Sequence, residues 1–408
     1  MASKSLSALL LTSLAAVASA RNCKNLTVPL FLSAQNSDFD FKVPSSDIEV
    51  TNYVLNFGRT GVSFADEILS ENKYRNVTGN YSIAATYCEP DSGPGRALQI
   101  LIRKYLTYPL SFSQQQLPNG AAFDRNYWHF PAHSYNYSYA DAALARNYSV
   151  FFYDRPGIGQ SSRGDPVNEI QSRLEVAALR ELTLRLRRGS LPGLPARRHP
   201  KIVHVGHSYG SAQTYALTAA HPSLPSHAAG GSSEDRISDA IALTGFSMGL
   251  GTFVNNFLFG GNFVLAKDTD GDKDRESYGP GYIASGDVSA VQSNFFAPDN
   301  FDPAILREAY ERGAPVAVGE LLTIADLTAV NNSYAGPVFV ITGENDIAFC
   351  GGNCYATNPS IPAQVASFFP NNTLVESYVV AGSGHGLNLE YTAPDTYARI
   401  LDFFDKSV

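Results

Sequence analysis

Six short apolar runs restrict the fold of this chain more than any other feature. They are "ALQILI" (97–102), "YSVFFYD" (148–154), "KIVHV" (201–205), "DAIALTGF" (239–246), "GPVFVITG" (336–343) and "ESYVVAG" (376–382). Their hydrophobicity is continuous, not alternating, which is the mark of parallel strands covered on both faces. Between them lie the helix candidates "EIQSRLEVAALRELTLRLR" (169–187) and "SAQTYALTAAH" (211–221). Strands alternating with helices predict an α/β fold, a mostly parallel central sheet with helices on both faces. With 408 residues the chain can bury a sizeable core in one large domain.

The pattern has a gap. From 247 to 332 no strand-like run occurs, and "GLGTFVNNFLFGGNFVLA" is apolar, glycine-broken and aromatic. An insertion of this size before the last two strands predicts a cap, with part of its aromatics lining a pocket. Within it, "KDTDGDKDRES" resembles a calcium loop only superficially. Counting from Asp268, the sixth residue is Lys273 and the twelfth Gly279, where an EF-hand needs glycine and glutamate. Residues 21–96 read as an N-terminal β-rich segment and 97–408 as the core that carries the cap.

The first twenty residues, "MASKSLSALLLTSLAAVASA", have one lysine, a short apolar run and a small-x-small site at Ala18-Ser19-Ala20. That order predicts a secretory signal peptide over 1–20, and export of the remainder. No later apolar run is long enough for a membrane span. The formal charge is −8 and no Lys/Arg-rich run exists, so no footprint for nucleic acid is present. Four cysteines suit an oxidising compartment and two disulfides, for which three connectivities exist. "CGGNC" can close on itself as Cys350–Cys354, which leaves Cys23–Cys88 to tie down the N-terminal segment. Seven N-x-S/T sequons, at Asn25, Asn76, Asn80, Asn136, Asn147, Asn331 and Asn371, predict that several carry sugar.

The chemistry begins at "VHVGHSYGSAQ" (203–213), where Ser208 stands between two glycines with a strand candidate before it and a helix candidate after. A strand–turn–helix around G-x-S-x-G is the context of a nucleophile elbow, which projects Oγ at the carboxyl end of the strand. A serine hydroxyl needs a base to remove its proton. Of eight histidines, His385 in "VVAGSGHGLNLE" follows a strand candidate in a glycine-rich loop. His204 and His207 lie too near the elbow in sequence to reach round to Oγ. His129 and His133 have a helical metal spacing that Pro131 argues against. The acid is expected after another strand end, where "VFVITGENDIAF" supplies Asp346, with Glu344 as rival. No cofactor is required.

With "YDRPGIGQSS" (153–162) added, the chain resembles the α/β-hydrolase superfamily, whose members carry a D-x-x-G-x-G-x-S turn. The resemblance runs from about 97 to the C-terminus. It is closest to secreted fungal-type hydrolases through the N-terminal Cys, "YCEPD" and "GENDIAFCGGNC". It implies that Ser208 is the nucleophile, His385 the base, Asp346 the orienting acid, and the Tyr209 N–H one oxyanion donor. Family members run from the third strand into His-Gly. Here "GAAFDRNYW" resembles the continuation, so Gly120 is the matching glycine and Ala121 the second donor. The histidine is missing and about 17 residues intervene. A surface insertion accounts for them, and so does an unspliced intron, since Arg-Lys-Tyr can be encoded by a splice-donor-like GTAAGT.

The function expected from these residues is hydrolysis of a carboxylic ester or lactone through an acyl-enzyme. A related alternative is release of a thioester-bound polyketide in secondary metabolism, and a haloperoxidase-like reaction would use the same triad. From another class comes a non-catalytic binding protein on the same fold. The partner in each case is a small molecule. The sequence is silent on oligomeric state.

Overall fold

The computed structural model describes residues 22–59, 73–103, 125–223, 236–249, 256–270, 273–372 and 374–408. Eight strands form one sheet in the order β1-β2-β4-β3-β5-β6-β10-β11. Its strands are β1 (Asn22–Ser37), β2 (Tyr74–Glu89), β3 (Leu98–Arg103), β4 (Ser149–Tyr153), β5 (Ile202–His207), β6 (Ala240–Thr244), β10 (Val338–Gly343) and β11 (Val375–Val380). From β4 to β11 every pairing is parallel. All six runs are strands of this sheet, but β11 stands at its edge with Glu376 and Ser377 exposed, so the reading of that run as covered on both faces is corrected. Each residue of β4, β5, β6 and β10 is buried, as continuous hydrophobicity requires of strands covered on two faces.

Two helices predicted from the sequence are present as α3 (Ser172–Arg188) and α4 (Tyr209–Ala220), after α1 (Asp47–Phe57) and α2 (Tyr139–Ala145). Helix α3 buries Leu174, Ala178 and Leu182 at four-residue spacing and stops at Gly189, whose φ of 68° suits a residue without Cβ. Its last turn holds Arg185, Arg187 and Arg188, cations placed at the negative end of the helix dipole.

The N-terminal segment is a ribbon that the sequence indicates only as β-rich. Strands β1 and β2 are 16 residues each and antiparallel over their whole length, from Asn22 opposite Glu89 to Ser37 opposite Tyr74. Burial alternates along β1, with Leu26, Val28, Leu30 and Leu32 turned inward. Cys23 faces Cys88 across this register and the two form a disulfide.

Between β6 and β10 the chain builds a second sheet of three strands, β7 (Phe263–Leu265), β8 (Tyr282–Ser285) and β9 (Val316–Ala317). Helices α5 (Val288–Phe295), α6 (Pro303–Glu311) and α7 (Val318–Leu322) accompany it. Strands of three, four and two residues offer too few positions for a period to show, so their hydrophobic pattern is invisible in the sequence. Helix α8 (Ile347–Cys350) follows β10, and α9 (Ala393–Ser407) closes the chain, burying Tyr397, Ile400, Leu401 and Phe404. Among the described residues no helix is long and apolar enough to cross a membrane. The segment 1–20 read as a signal peptide, residues 104–119, Gly120, Ala121 and residues 224–235 lie outside the described residues.

Candidate active site

Strand β5 lies inside the sheet, between β3 and β6, and ends at His207. The next residue, Ser208, has φ 57° and ψ −121°, a positive-φ conformation rare for a residue with a side chain. The chain turns there directly into α4. A Cβ on Gly206 would come within 2.4 Å of the Gly210 carbonyl oxygen, so the turn can close only around glycine. Two bonds secure it, since the Ser208 N–H and the Ser211 hydroxyl both donate to the Thr244 carbonyl, at 2.9 Å each. Tyr209 opens α4, so its N–H belongs to the first turn, where the helix dipole is positive.

Three side chains that the sequence suggests for catalysis meet at this turn. His385 Nε2 lies 2.9 Å from Ser208 Oγ, and its Nδ1 lies 2.8 Å from Asp346 Oδ2. They are 177 and 39 residues apart from His385 in sequence, and all three are buried, with Ser208 5% exposed. Asp346 is aimed by its own backbone. Its Oδ1 accepts the Phe349 N–H at 2.8 Å, capping α8, which leaves Oδ2 for the histidine. The rival carboxylate serves elsewhere, because Glu344 accepts the Gly382 N–H at 2.9 Å. With a carboxylate on Nδ1, the proton of neutral His385 is held at Nδ1 and Nε2 can accept the serine proton. The arrangement can generate a serine nucleophile.

A model of the alpha/beta hydrolase family matches residues 117–400, more than half of the 408 residues. The chain belongs to the α/β-hydrolase family. The hydrolase is also similar to solved structures at low identity. Rv0554 from Mycobacterium tuberculosis is 15% identical with a TM-score of 0.47, over 82% of this chain and 96% of that one. A thermophilic esterase from Thermogutta terrifontis is 14% identical with a TM-score of 0.47, over 80% and 94%. The α/β hydrolase GrgF from Penicillium sp. sh18 is 17% identical with a TM-score of 0.46, over 80% and 94%. No curated protein matches the chain.

The hydrolase surrounds the histidine with rings. His207 sits 4.9 Å from His385 between ring centroids, and Phe295 and Phe349 each 5.6 Å. His207, which the sequence only excludes as a base, thus packs against the candidate base, with its Nδ1 2.9 Å from the Thr244 hydroxyl. Gly245 makes room for both imidazoles, since a Cβ there would lie 2.7 Å from His207 and 3.0 Å from His385. Phe295 comes from α5 of the insertion, so that segment reaches the centre of the site.

The D-x-x-G-x-G-x-S turn follows β4 and is held around Asp154. Asp154 accepts from the Gln160 N–H at 3.2 Å and pairs with the buried Arg125 guanidinium, while Gly157 and Gly159 take positive φ. The next residue carries a connection that the sequence hides. Arg155 donates to Glu175 of α3 at 3.2 Å and to Glu320 of α7 at 2.6 Å, all three buried. Gln213 of α4 donates to the second oxygen of Glu175 at 2.6 Å. Burial pushes the Glu175 carboxyl well above the usual range, with Glu320 adding to the effect.

Three histidines away from the catalytic turn have structural partners. His204 is buried between the Thr183 hydroxyl at 3.0 Å and the Ser238 hydroxyl at 2.8 Å, and burial lowers its pKa to about 3. His129 lies 2.8 Å from the Ser138 hydroxyl, and His133 3.6 Å from Asp302. Among the described residues no group of His, Cys, Asp and Glu could hold a metal ion.

Cys350 and Cys354 form a disulfide around the Asp346 turn. Within it the Cys350 and Gly352 N–H groups donate to the Asp346 carbonyl at 3.1 and 2.9 Å, and the Cys354 N–H to the Glu344 carbonyl at 2.9 Å. The two disulfides should therefore separate in their effects. Loop-closure entropy gives about 4 kcal/mol for Cys23–Cys88 and about 2 kcal/mol for the short loop. Replacing Cys350 and Cys354 by serine is expected to lower activity more than it lowers the urea midpoint, and replacing Cys23 and Cys88 the reverse. Equal losses of activity and stability in the short-loop variant would count against a role in holding Asp346.

Proposed function

We propose that this hydrolase is a secreted, glycosylated serine esterase or lactonase acting through Ser208, His385 and Asp346. One observation carries the reading. An unbroken hydrogen-bonded series runs from Ser208 Oγ through both nitrogens of His385 to Asp346 Oδ2, at the end of a central strand.

Ser208 Oγ attacks the carbonyl carbon of the ester while His385 Nε2 takes its proton. The tetrahedral oxyanion is met by the backbone N–H of Tyr209, with that of Ala121 as second donor. His385 returns the proton to the leaving alkoxide oxygen, and the acyl group stays on Ser208. Water then attacks the acyl carbon, His385 takes the water's proton, and the carboxylic acid leaves as Ser208 regains its hydrogen. Asp346 holds the imidazole in one tautomer and offsets the charge it acquires. The aromatic side chains of the insertion, Phe295 among them, make it a cap that shields an apolar part of the substrate.

Export is supported by the two disulfides and by the sequons. All seven sequon asparagines are exposed, and Asn332 beside Asn331 is buried. The fungal-type resemblance points the same way.

The test is labelling by a fluorophosphonate probe of the full chain, of Ser208→Ala and of a chain lacking 103–119. Labelling of the wild type that Ser208→Ala abolishes establishes an activated serine, and an ester and lactone screen is then the next step. Labelling of the shortened chain alone would make the extra segment inhibitory. Absence of labelling in all three folded proteins would refute a serine esterase and leave a binding protein.

A further inference from the structure

Glu390 is a fully buried carboxylate that no step of the reaction uses. It lies five residues after His385, in the loop that comes after β11. Its Oε1 accepts two backbone N–H groups, from Ala297 at 2.7 Å and from Gly384 at 3.0 Å, and its Oε2 accepts the Gly384 N–H at 2.9 Å. Gly384 is the residue before His385. Ala297 belongs to the insertion, two residues past the end of α5. One side chain therefore joins the two segments.

The contact between those segments is close along its length. A Cβ on Gly384 would lie 2.6 Å from the Ala297 nitrogen, so the backbones can approach only where glycine stands. On the other side of the histidine, the Gly386 N–H donates to the Phe295 carbonyl at 2.5 Å. Further on, the Tyr391 N–H donates to the Asn300 carbonyl at 2.9 Å, and the Asn300 amide donates to the Gly382 carbonyl at 3.2 Å. The imidazole itself packs on Phe295. Behind Phe295 stands Phe257, edge-on at 5.9 Å, and the Asn294 amide donates to the Phe257 carbonyl at 3.0 Å. Helix α5 thus ties the histidine loop to the interior of the insertion.

A buried carboxylate is an expensive way to hold two loops together unless its oxygens are used. Burial pushes Glu390 up to about 7, the Ala297 and Gly384 N–H groups and the Ser383 hydroxyl oppose that, and the Asp346 charge adds to it. Asp346 and His385 are the ionisable groups on its catalytic side. Glu344 engages the same loop through Gly382, and Asp299 and Asp302 flank Asn300 in the insertion.

We propose that Glu390 is a positioning residue that couples the insertion to His385, by clamping the Gly384 N–H and the Ala297 N–H on one carboxylate. Movement of the insertion on substrate entry is then felt at the imidazole, and substrates that engage the insertion improve the geometry of proton transfer. The proposal rests on the reading of His385 as the base, and its test is built to be read with or without turnover.

The variants are Glu390→Ala and Glu390→Gln in the full chain, with hydrogen–deuterium exchange followed by mass spectrometry as the first measurement. In Glu390→Ala the peptides covering 382–392 and 294–301 are expected to gain exchange together. In Glu390→Gln 294–301 stays protected, because glutamine keeps an oxygen for the Ala297 N–H. Peptide 382–392 gains less exchange than in Glu390→Ala, because only the Oε2 that also accepts the Gly384 N–H is replaced by an amide NH2. The second measurement is hydrolysis of a p-nitrophenyl ester. Glu390→Ala is expected to lose kcat by roughly 10- to 100-fold with KM within about twofold, as a misplaced catalytic group does. Glu390→Gln should stay within about threefold of wild type. Protection of 294–301 that is unchanged in Glu390→Ala overturns the coupling. So does a kcat loss in Glu390→Gln as large as in Glu390→Ala, which would assign the effect to charge. A wild type that takes no fluorophosphonate refutes the esterase reading alone, since exchange still decides the coupling.

Discussion

Replacing His385 by alanine is expected to lower the kcat for ester hydrolysis by about 10⁶-fold, the loss seen when a triad base is removed. The proton of Ser208 then has no acceptor, since His385 Nε2 is the nitrogen placed 2.9 Å from Oγ. KM should change little, because the imidazole contributes to the transition state and not to ground-state binding. Asp346→Asn is expected to lose about 10⁴-fold for a different reason. Its amide would donate to Nδ1, move the ring proton to Nε2 and turn the base into a donor facing Ser208. Asparagine keeps Oδ1, so the cap on α8 through the Phe349 N–H survives and the protein should fold. Steady-state kinetics beside a melting curve checks both. A His385→Ala enzyme within tenfold of wild type would remove this residue from the mechanism.

The Arg155 knot sets the second large effect, on stability. Its guanidinium joins the turn after β4 to α3 and to α7 of the insertion, and Gln213 links the same cluster to α4 one turn past Tyr209. Removing the cation leaves Glu175 and Glu320 buried without it. Breaking a buried pair from one side costs about 3–5 kcal/mol, because the carboxyls left behind have no water and lose their cation, keeping only Gln213 on Glu175 and the Ala317 N–H on Glu320. Arg155→Met is expected to lose that much, read as a fall in the urea midpoint. A triple variant with Arg155→Met, Glu175→Leu and Glu320→Leu should recover most of it, since three apolar side chains leave no charge to desolvate. If Arg155→Met unfolds within about 1 kcal/mol of wild type, the knot is not what joins these elements. Activity should fall in both variants, because α4 carries the elbow and Gln213 loses its partner in the triple variant.

Much of this molecule can be read without its structure, for a local reason. Continuous burial of β4, β5, β6 and β10 leaves a continuous apolar run in each, visible within a single short window. The elbow is also local. Gly206 and Gly210 flank Ser208 within five residues, and the close approach of Gly206 to Gly210 needs no distant partner. Strand ends then bound where a histidine and an acid can stand, which brings His385 and either Glu344 or Asp346 into consideration.

Contacts made by long-range packing leave no such mark along the chain. Asp346 and Glu344 have the same chemistry two residues apart, and only the turn into α8 sends one to His385 and the other to the Gly382 N–H. Arg155 meets Glu320 across 165 residues and Glu390 meets Ala297 across 93, separations over which neither spacing nor composition specifies a contact. In the sequence each of these is one charged residue among many. Burial is what makes them particular, because a charge without water must find its partner wherever the topology has brought one. The sequence by itself determined the parallel sheet, the strained serine and the two strand ends beside it, since each depends on neighbours along the chain. How Asp346 is aimed at the histidine, and which buried groups lock the insertion to its loop, the tertiary structure alone decided, since those contacts exist only after the sheet has formed.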